Sequence, residues 1–235
     1  MVAVQEPFKP AIIVVDMQED FCPPNGPLAV AGTREIAPTI NNLLTYPFAM
    51  RVATKDFHPK DHISFASNHP APNNKPFESE ITIENPYNSA ETQKTLLWPD
   101  HCVQGTPGTD LIPELDTTHI QLVFEKGQDP RVEMYSAFAA PFKSPPVASS
   151  GLAETLRVNG ITHVYVVGVA FDYCVKYTAI DSAKEGFKTF VVEEATKAVN
   201  PSSAATDTVL RDFGESNVQM IHVDGKELER VKRLS

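Results

Sequence analysis

The sequence predicts a single α/β domain in three layers, α/β/α, with a six-stranded, mostly parallel sheet between two layers of helices. Two observations support this prediction. Short apolar runs recur along the 235-residue chain, and several are continuously apolar, as strands covered on both faces are. Segments with a helical spacing of apolar residues lie between these runs. Strands alternating with helices are typical of βαβ units and a parallel sheet.

Five apolar runs are predicted to be strands, and a sixth run is weaker. β-Branched residues are frequent in most of them, as is typical of strands. The predicted strands cover residues 11–16, 50–56, 120–126, 163–169 and 188–192, with the weaker run at 218–223.

Four segments between the strands are predicted to be helices, at residues 33–46, 151–159, 172–185 and 202–213. In the first segment Ile36, Ile40, Leu43 and Leu44 recur at the spacing of one helix face. Gly186 follows the third segment and marks the end of that helix.

Residues 66–97 differ in composition from the rest of the chain. They are rich in Pro, Asn, Ser and Glu and lack sustained periodicity. Long insertions of this kind are usually surface loops, either functional lids or mobile segments. We therefore expect one domain over residues 1–235, with a polar loop insertion at about 66–97.

The composition excludes several classes of function. A net charge of −10 disfavours nucleic acid and anionic membranes as partners, because both attract basic surfaces. Three cysteines at no framework spacing disfavour a secreted disulfide scaffold, and neither a signal-peptide pattern nor a membrane span is present. We expect a cytoplasmic protein, with the nucleus as the alternative compartment, and a homo-oligomer stays open.

Polar residues follow the predicted strands at their carboxyl ends, where open parallel sheets bind ligands. Asp16 ends the first strand, Asp56 the second and Lys126 the third, and Cys174 follows the fourth. Alone, each residue has an ordinary interpretation: Asp16 as a turn or capping residue, Lys126 as a solvated loop residue, Cys174 as a small buried side chain. Together they predict a reactive site at one edge of the sheet.

The carboxylate, amine and thiol of this set suit nucleophilic catalysis. A nearby lysine and a helix N-terminus can lower the pKa of a thiol to roughly 3.5–7.5. We therefore expect a lowered pKa for Cys174, with Lys126 favouring the thiolate and Asp16 moving the proton to a leaving amine. Asp172, at the predicted helix start, opposes a thiolate slightly.

Asp56, His58 and His101 form a candidate first shell for Zn²⁺ or Fe²⁺ with open positions. The spacing alone is weak evidence, because Asp-x-His is common by chance. His62 could be a fourth ligand or a hydrogen-bond partner of the ligands, but a solvated role is favoured. The motifs of zincin proteases, serine α/β-hydrolases, dinucleotide sites and P-loops are absent from the sequence.

Six segments keep one order along the chain: IIVVDMQEDF, KDFHP, LLWPDHCVQGTPG, FEKG, MYSAF and VVGVAFDYCVKYTA. Together they closely resemble the nicotinamidases of the isochorismatase-like cysteine hydrolase superfamily, over about residues 10–223, and the long insertion is similar to that of fungal members. The resemblance implies an isochorismatase-like, Rossmann-like topology. It also implies hydrolysis of nicotinamide to nicotinate and ammonia, a step of NAD salvage.

The resemblance implies a catalytic triad of Asp16, Lys126 and Cys174, with a thioester formed on the cysteine. It further implies a cis peptide bond between Val169 and Ala170, which would help to aim backbone N–H groups of Ala170 and Cys174 as an oxyanion hole.

The resemblance also implies one divalent metal ion that holds the pyridine nitrogen of the substrate. Its ligands would be Asp56, His58 and His101, and the ion Zn²⁺, with Fe²⁺ or Mn²⁺ as alternatives. An extra proline leaves the place of Leu28 in the pocket open. The implied substrate-binding residues are Phe21, Trp98, Tyr135, Val169 and Tyr173.

Three other functions compete with this prediction. The same triad could serve a carbamoyl or ureido amidase. The aromatic walls and the metal ligands argue against this alternative, because they suit a pyridine ring and its nitrogen. An isochorismatase proper lacks the nucleophilic cysteine and the metal. A catalytically silent nicotinamide-binding protein is disfavoured by the intact Asp16, Lys126 and Cys174.

Overall fold

The computed structural model describes residues 7–234 and contains two sheets. The main sheet has six strands in the order β5-β2-β1-β6-β7-β8, and all neighbouring strands are parallel. The predicted six-stranded sheet is confirmed. The strands are β1 (Pro10–Val15), β2 (Met50–Asp56), β3 (Glu80–Asn85), β4 (Asn88–Leu96), β5 (Leu122–Lys126), β6 (His163–Val169), β7 (Lys188–Lys197) and β8 (Val218–Ile221).

Within the described residues five α-helices accompany the sheet, and four of them match the predicted segments. The fifth was not predicted, because its seven residues, KELERVK, offer only Leu228 and Val231 as buried apolar side chains. The helices are α1 (Thr33–Leu44), α2 (Leu152–Val158), α3 (Lys176–Lys184), α4 (Ser203–Glu215) and α5 (Lys226–Lys232). In residues 7–234 none of the helices has the length and apolar character needed to cross a bilayer.

The two faces of the sheet are covered by different helices. Ile12 of β1 belongs to one apolar cluster with Ile40 of α1, whereas Ile13 belongs to the other with Leu156 of α2 and Phe213 of α4. Each of these side chains is buried, and burying one contributes roughly 1.5–3 kcal/mol. Because successive strand residues point to opposite faces, a continuously apolar strand is satisfied only between two helix layers. The three-layer prediction is confirmed.

The segment 66–97 contains regular structure that the sequence did not predict. β3 and β4 pair as an antiparallel hairpin outside the main sheet. Ile83 is buried against Val132 and Met134 in a small apolar cluster, whereas Thr92 and Lys94 are exposed. The expected loop is therefore corrected to a β-hairpin. Its signal was weak, because the alternation in the first strand rests on two isoleucines among polar residues.

The chain after β6 differs from prediction at one point that affects the site. A single π-helical turn, Phe171–Val175, precedes α3, which begins at Lys176 and not at Asp172. Cys174 thus lies within the π-helical turn. Turns of this kind are rare in proteins, and those that occur are often found at functional sites.

Candidate active site

Asp16, Lys126 and Cys174 meet at the carboxyl edge of the sheet. Asp16 follows β1, Lys126 ends β5 and Cys174 follows β6. The Lys126 Nζ atom lies 3.0 Å from Asp16 Oδ2 and 3.4 Å from Cys174 Sγ. All three residues are buried. The structure brings together the predicted carboxylate, amine and thiol.

The backbone turns sharply at Asp16, whose φ is +49°. The Thr54 hydroxyl donates to Asp16 Oδ1 at 2.6 Å. Oδ2 makes an ion pair with Lys126, but no donor is aligned for a hydrogen bond to it. One oxygen of the Asp16 carboxylate lies within 4.8 Å of Cys174 Sγ, so this carboxylate is near enough to the thiol to serve as its proton acceptor.

Lys126 is a buried cation that links the two carboxylates of the site. Its ammonium also donates to Asp56 Oδ1 and, at 3.3 Å, to the Met134 carbonyl oxygen. Burial acts to lower the pKa of Lys126, but Asp16 and Asp56 outweigh it and hold the pKa well above its usual value. The lysine is therefore charged and stays paired, as buried ions require.

The resting state of Cys174 differs from the predicted thiolate. Burial raises the pKa of the Cys174 thiol well above its ordinary value; Lys126 lowers it, while Asp16 and Asp56 act with burial. The expected lowered pKa is thus corrected, because burial of the thiol and the charges of Asp16 and Asp56 together outweigh the effect of Lys126 on the pKa. Cys174 is a thiol that must lose its proton as it reacts.

Asp172 does not point toward the thiol as an opposing charge. Its Oδ1 accepts the N–H of Val199 and its Oδ2 that of Asn200, each at 2.9 Å. The carboxylate thereby ties the turn that carries Cys174 to the loop after β7.

Asp56, His58 and His101 converge beside the triad, with ligand atoms all within 4.8 Å of one another. His58 Nε2 lies 3.5 Å and His101 Nε2 3.9 Å from Asp56 Oδ2. His58 Nδ1 faces the Gly127 carbonyl oxygen at 2.8 Å, and His101 Nδ1 faces that of Pro99 at 2.8 Å. Because carbonyl oxygens only accept, both Nδ1 atoms carry the proton.

These tautomers leave both Nε2 atoms directed at one carboxylate, which suits a metal ion. Ligand atoms around a tetrahedral Zn²⁺ at about 2.0–2.2 Å are roughly 3.3–3.6 Å apart, close to the spacing here. Burial lowers the pKa of His101 to about 4, so its imidazole is neutral, as a ligand must be. Burial opposes a charge on His58, but the Asp56 carboxylate raises its pKa, so a proton and a cation compete there. The residues fit a divalent metal.

His62 lies beside this cluster, with its ring 4.1 Å from that of His58. Its Nδ1 atom is 2.8 Å from Ser64 Oγ. Burial lowers the pKa of His62 well below its ordinary value. His62 is buried, so the predicted solvated role is wrong.

One small cavity contains both the nucleophile and two of the metal-ligand candidates. Four aromatic side chains form its walls, among them Phe21, Trp98 and Tyr135, for which the resemblance implied this position. The residues lining the cavity are Phe21, Trp98, Tyr135 and Tyr173, with Leu28, Ala170, Val199, Asp56, His101, Glu133 and Cys174.

The strand end before the cavity has the expected backbone. The peptide bond between Val169 and Ala170 is cis, which confirms that expectation. Val169 itself is fully buried at the end of β6, outside the cavity lining, whereas Ala170 lines the cavity.

Glu133 and Val199 line the cavity but were not predicted. Glu133 is buried, its Oε1 accepts the Met134 N–H at 2.8 Å, and burial raises its pKa. The only sequence signal was a carboxylate within the otherwise apolar pattern VEM. The sequence gives no signal for Val199, because its place at the site depends on the hydrogen bond from its backbone N–H to Asp172.

The walls of the cavity contact one another. The ring of Tyr173 is perpendicular to that of Trp98 at 4.9 Å and tilted against that of Tyr135 at 5.3 Å. The Trp98 Nε1–H donates to the Tyr135 hydroxyl at 2.9 Å. Such a slot suits a flat ring, which gains from edge and face contacts.

Comparison with known proteins identifies the family. Residues 10–221 match the isochorismatase domain family. The nicotinamidase of Acinetobacter baylyi is 45% identical over 190 residues, which cover 81% of this chain and 82% of that protein. The yeast nicotinamidase Pnc1p bound to the inhibitor nicotinaldehyde has a TM-score of 0.83 at 33% identity, covering 91% of this chain and 99% of that chain.

A pyrazinamidase of Pyrococcus horikoshii in complex with zinc has a TM-score of 0.68 at 31% identity, covering 91% of this chain and 99% of that chain. The chain belongs to the isochorismatase family of hydrolases. Its similar proteins include bacterial and yeast nicotinamidases, which confirms the resemblance stated from the motifs.

Proposed function

We propose that the protein is a nicotinamidase, which hydrolyses nicotinamide to nicotinate and ammonia and so serves NAD salvage. One observation carries this proposal: Cys174, Lys126 and Asp16 meet beside an aromatic slot that also contains two of the three metal-ligand candidates. A thiol attacks a carboxamide, and the slot accommodates the pyridine ring. The similarity to nicotinamidases supports the same substrate.

In the first half-reaction Asp16 Oδ2 accepts the Cys174 proton as Sγ attacks the amide carbon. Lys126, 3.4 Å from Sγ, stabilises the negative charge that develops on sulfur. The oxyanion is stabilised by backbone N–H groups, for which we propose those of Ala170 and Cys174. The C–N bond then breaks, Asp16 returns the proton to the leaving nitrogen, and ammonia departs from a thioester.

In the second half-reaction a water molecule attacks the thioester carbon. Asp16 accepts a proton from this water, and the C–S bond breaks to release nicotinate. The proton returns to Cys174, which restores the buried thiol and the paired Lys126. A resting thiol agrees with this cycle, because the proton that Cys174 loses is the one the leaving group needs.

Asp56, His58 and His101 would hold one divalent cation, for which we propose Zn²⁺, with Fe²⁺ or Mn²⁺ as alternatives. When bound, it supplies a Lewis acid for the pyridine nitrogen. The aromatic residues Phe21, Trp98, Tyr135 and Tyr173 orient the ring, and Val169 supports the strand end behind it. The donor set at one carboxylate supports the metal proposal.

The test is ammonia release from nicotinamide by the wild type, Cys174→Ala and a metal-stripped sample. We expect Cys174→Ala to lower kcat by at least about 10³-fold, since nucleophile and base act as a unit. Cys22→Ala is the matched control, because Cys22 is also a buried free cysteine but lies outside the cavity.

Activity that survives in Cys174→Ala would contradict the covalent mechanism. Full activity after verified metal removal would contradict the role of Asp56, His58 and His101. Turnover of carbamoyl or ureido amides without turnover of nicotinamide would move the assignment to another amidohydrolase of the same superfamily.

A further inference from the structure

A chain of hydrogen bonds joins the cavity wall to the β3–β4 hairpin. The Trp98 Nε1–H donates to the Tyr135 hydroxyl at 2.9 Å, and this hydroxyl lies 2.6 Å from Thr95 Oγ1. Thr95 belongs to β4 and is buried, with 6% of its surface exposed. It does not line the cavity, and its hydrogen bond to the Tyr135 hydroxyl connects it to the cavity wall.

The direction of every proton in this chain is determined by its two ends. The indole N–H only donates, and the Leu96 carbonyl oxygen, 3.3 Å from Thr95 Oγ1, only accepts. The Thr95 hydroxyl therefore donates to Leu96, and Tyr135 donates to Thr95 while accepting from Trp98. Each hydroxyl has one donor and one acceptor partner, and no proton is left over.

The Tyr135 ring contacts two other tyrosines, Tyr173 in the cavity wall and Tyr177 outside it, and these contacts are between rings. Its ring is stacked on Tyr177 at 5.4 Å and tilted against Tyr173 at 5.3 Å. Aromatic pairs are stable in several geometries, offset-stacked or edge-to-face, whereas a buried hydroxyl left without a partner keeps the full cost of its desolvation. The hydroxyl chain is therefore the contact that holds Tyr135, and with it Trp98, at a set position.

We propose that Thr95 is a positioning residue that sets the substrate slot through Tyr135 and Trp98. The β3–β4 hairpin thus contributes to substrate binding, although none of its residues lines the cavity. This inference rests on the proposed function, since the slot is taken to bind the pyridine ring. Loss of the Thr95 hydroxyl loosens ring binding and leaves the triad in place.

The test compares Thr95→Val with the wild type in initial-rate kinetics on nicotinamide with the metal-loaded enzyme. We expect KM to rise about tenfold, as for a buried hydrogen bond left unmade, with kcat within about threefold of the wild type. Thr95→Ser keeps the hydroxyl and should restore KM. Thr92→Val is the matched control, because Thr92 lies on the same strand and is exposed.

A second readout does not depend on turnover. Trp98 is the single tryptophan of the chain, so tryptophan fluorescence reports on the surroundings of this one indole, which include its hydrogen bond to Tyr135. We expect an emission shift in Thr95→Val that Thr95→Ser and Thr92→Val lack. In a double-mutant cycle, Thr95→Val and Tyr135→Phe should be non-additive, the double variant having a KM no higher than about that of the worse single variant.

Unchanged KM and unchanged Trp98 emission in a folded Thr95→Val variant would overturn the inference. Equal losses in Thr95→Val and Thr95→Ser would do the same, because they would indicate a packing role. If Thr95→Val does not fold, the KM and emission of Tyr135→Phe decide between these results. A wild type that does not hydrolyse nicotinamide would instead contradict the proposed function, while the emission shift would still test the hydrogen-bond chain.

Discussion

Gly127 and His58 are fitted to each other at two points. The Gly127 carbonyl oxygen accepts the His58 Nδ1–H at 2.8 Å, and a Cβ atom on Gly127 would lie 2.3 Å from His58 Cε1. The φ of Gly127 is +69°, a backbone conformation that residues other than glycine rarely adopt. The residue after Lys126 therefore orients a proposed metal ligand.

We expect Gly127→Ala to weaken metal binding by about 10–100-fold, as is typical when the partner of a ligating histidine is lost. The added methyl group would displace the imidazole from Asp56. The measurement is Zn²⁺ affinity by competition with a chromogenic chelator. Gly105→Ala is the matched control: its φ is +77°, but a Cβ atom there meets nothing within 4 Å. Equal affinity in both variants would contradict the role of Gly127.

The buried ammonium of Lys126 is expected to be essential for stability as well as for catalysis. Lys126→Gln leaves Asp16 and Asp56 facing each other without a cation, and breaking a buried ion pair typically costs about 3–5 kcal/mol. Urea unfolding measures the loss. The double variant Asp16→Asn/Lys126→Gln also removes the charge of Asp16, so Asp56 no longer faces a second carboxylate. It should regain part of the lost free energy of unfolding. A single variant as stable as the wild type would refute this account of Lys126.

Asp172 is expected to stabilise the turn that carries Cys174. Asp172→Ala leaves the N–H groups of Val199 and Asn200 without their charged acceptor, which should lower the free energy of unfolding by about 1–3 kcal/mol. Chemical denaturation is the measurement. Asp207→Ala, at an exposed position of α4, is the control and should change the free energy of unfolding little. A loss no greater than that of the control would argue against this role.

His222 provides a prediction on pH dependence away from the site. The hydrogen bond from Nδ1 to Glu194 Oε1, 2.9 Å long, and the charges of Glu194 and Glu193 raise its pKa above the ordinary 6.5. A raised pKa in the folded state means that the stabilisation is present below the unfolded pKa and is lost as the pH rises through the folded value. Proton NMR titration should therefore give a midpoint above 6.5.

Glu194→Gln should lower that midpoint, because it removes the charge that favours the imidazolium. Glu215→Gln, exposed on α4, is the control and should leave it in place. A midpoint of His222 that is the same in both variants would show that Glu194 is not the cause.

The strands of the main sheet could be predicted because burial on both faces requires continuous apolar runs, such as Ile12 to Val15. The polar residues at their ends could be placed together by the same rule, since parallel strands bring their carboxyl ends to one edge. Asp16, Asp56 and Lys126 are found there, and Cys174 with them.

Other features depend on contacts that no local pattern encodes. The β3–β4 hairpin is stabilised by Ile83 packed against Val132 and Met134, which are 49 and 51 positions further along the chain, and its sequence is mostly polar. Glu133 and Thr95 gain their roles only from the groups that surround them after folding. The direction of the pKa shift of Cys174 could not be predicted from the sequence. It depends on how deeply the thiol is buried and on how close two carboxylates and one ammonium lie to it.

The Lys126 ammonium joins parts of the chain that are far apart in sequence, since Asp56 and Cys174 are 70 and 48 residues from it. The reacting groups of Asp16, Lys126 and Cys174 are together only in a fragment that runs at least from Asp16 to Cys174. Enzymatic activity therefore appears only when the central strands have come together, and a partly folded chain is inactive. We expect the return of activity after dilution from urea to trail the recovery of helix measured by circular dichroism, never to precede it.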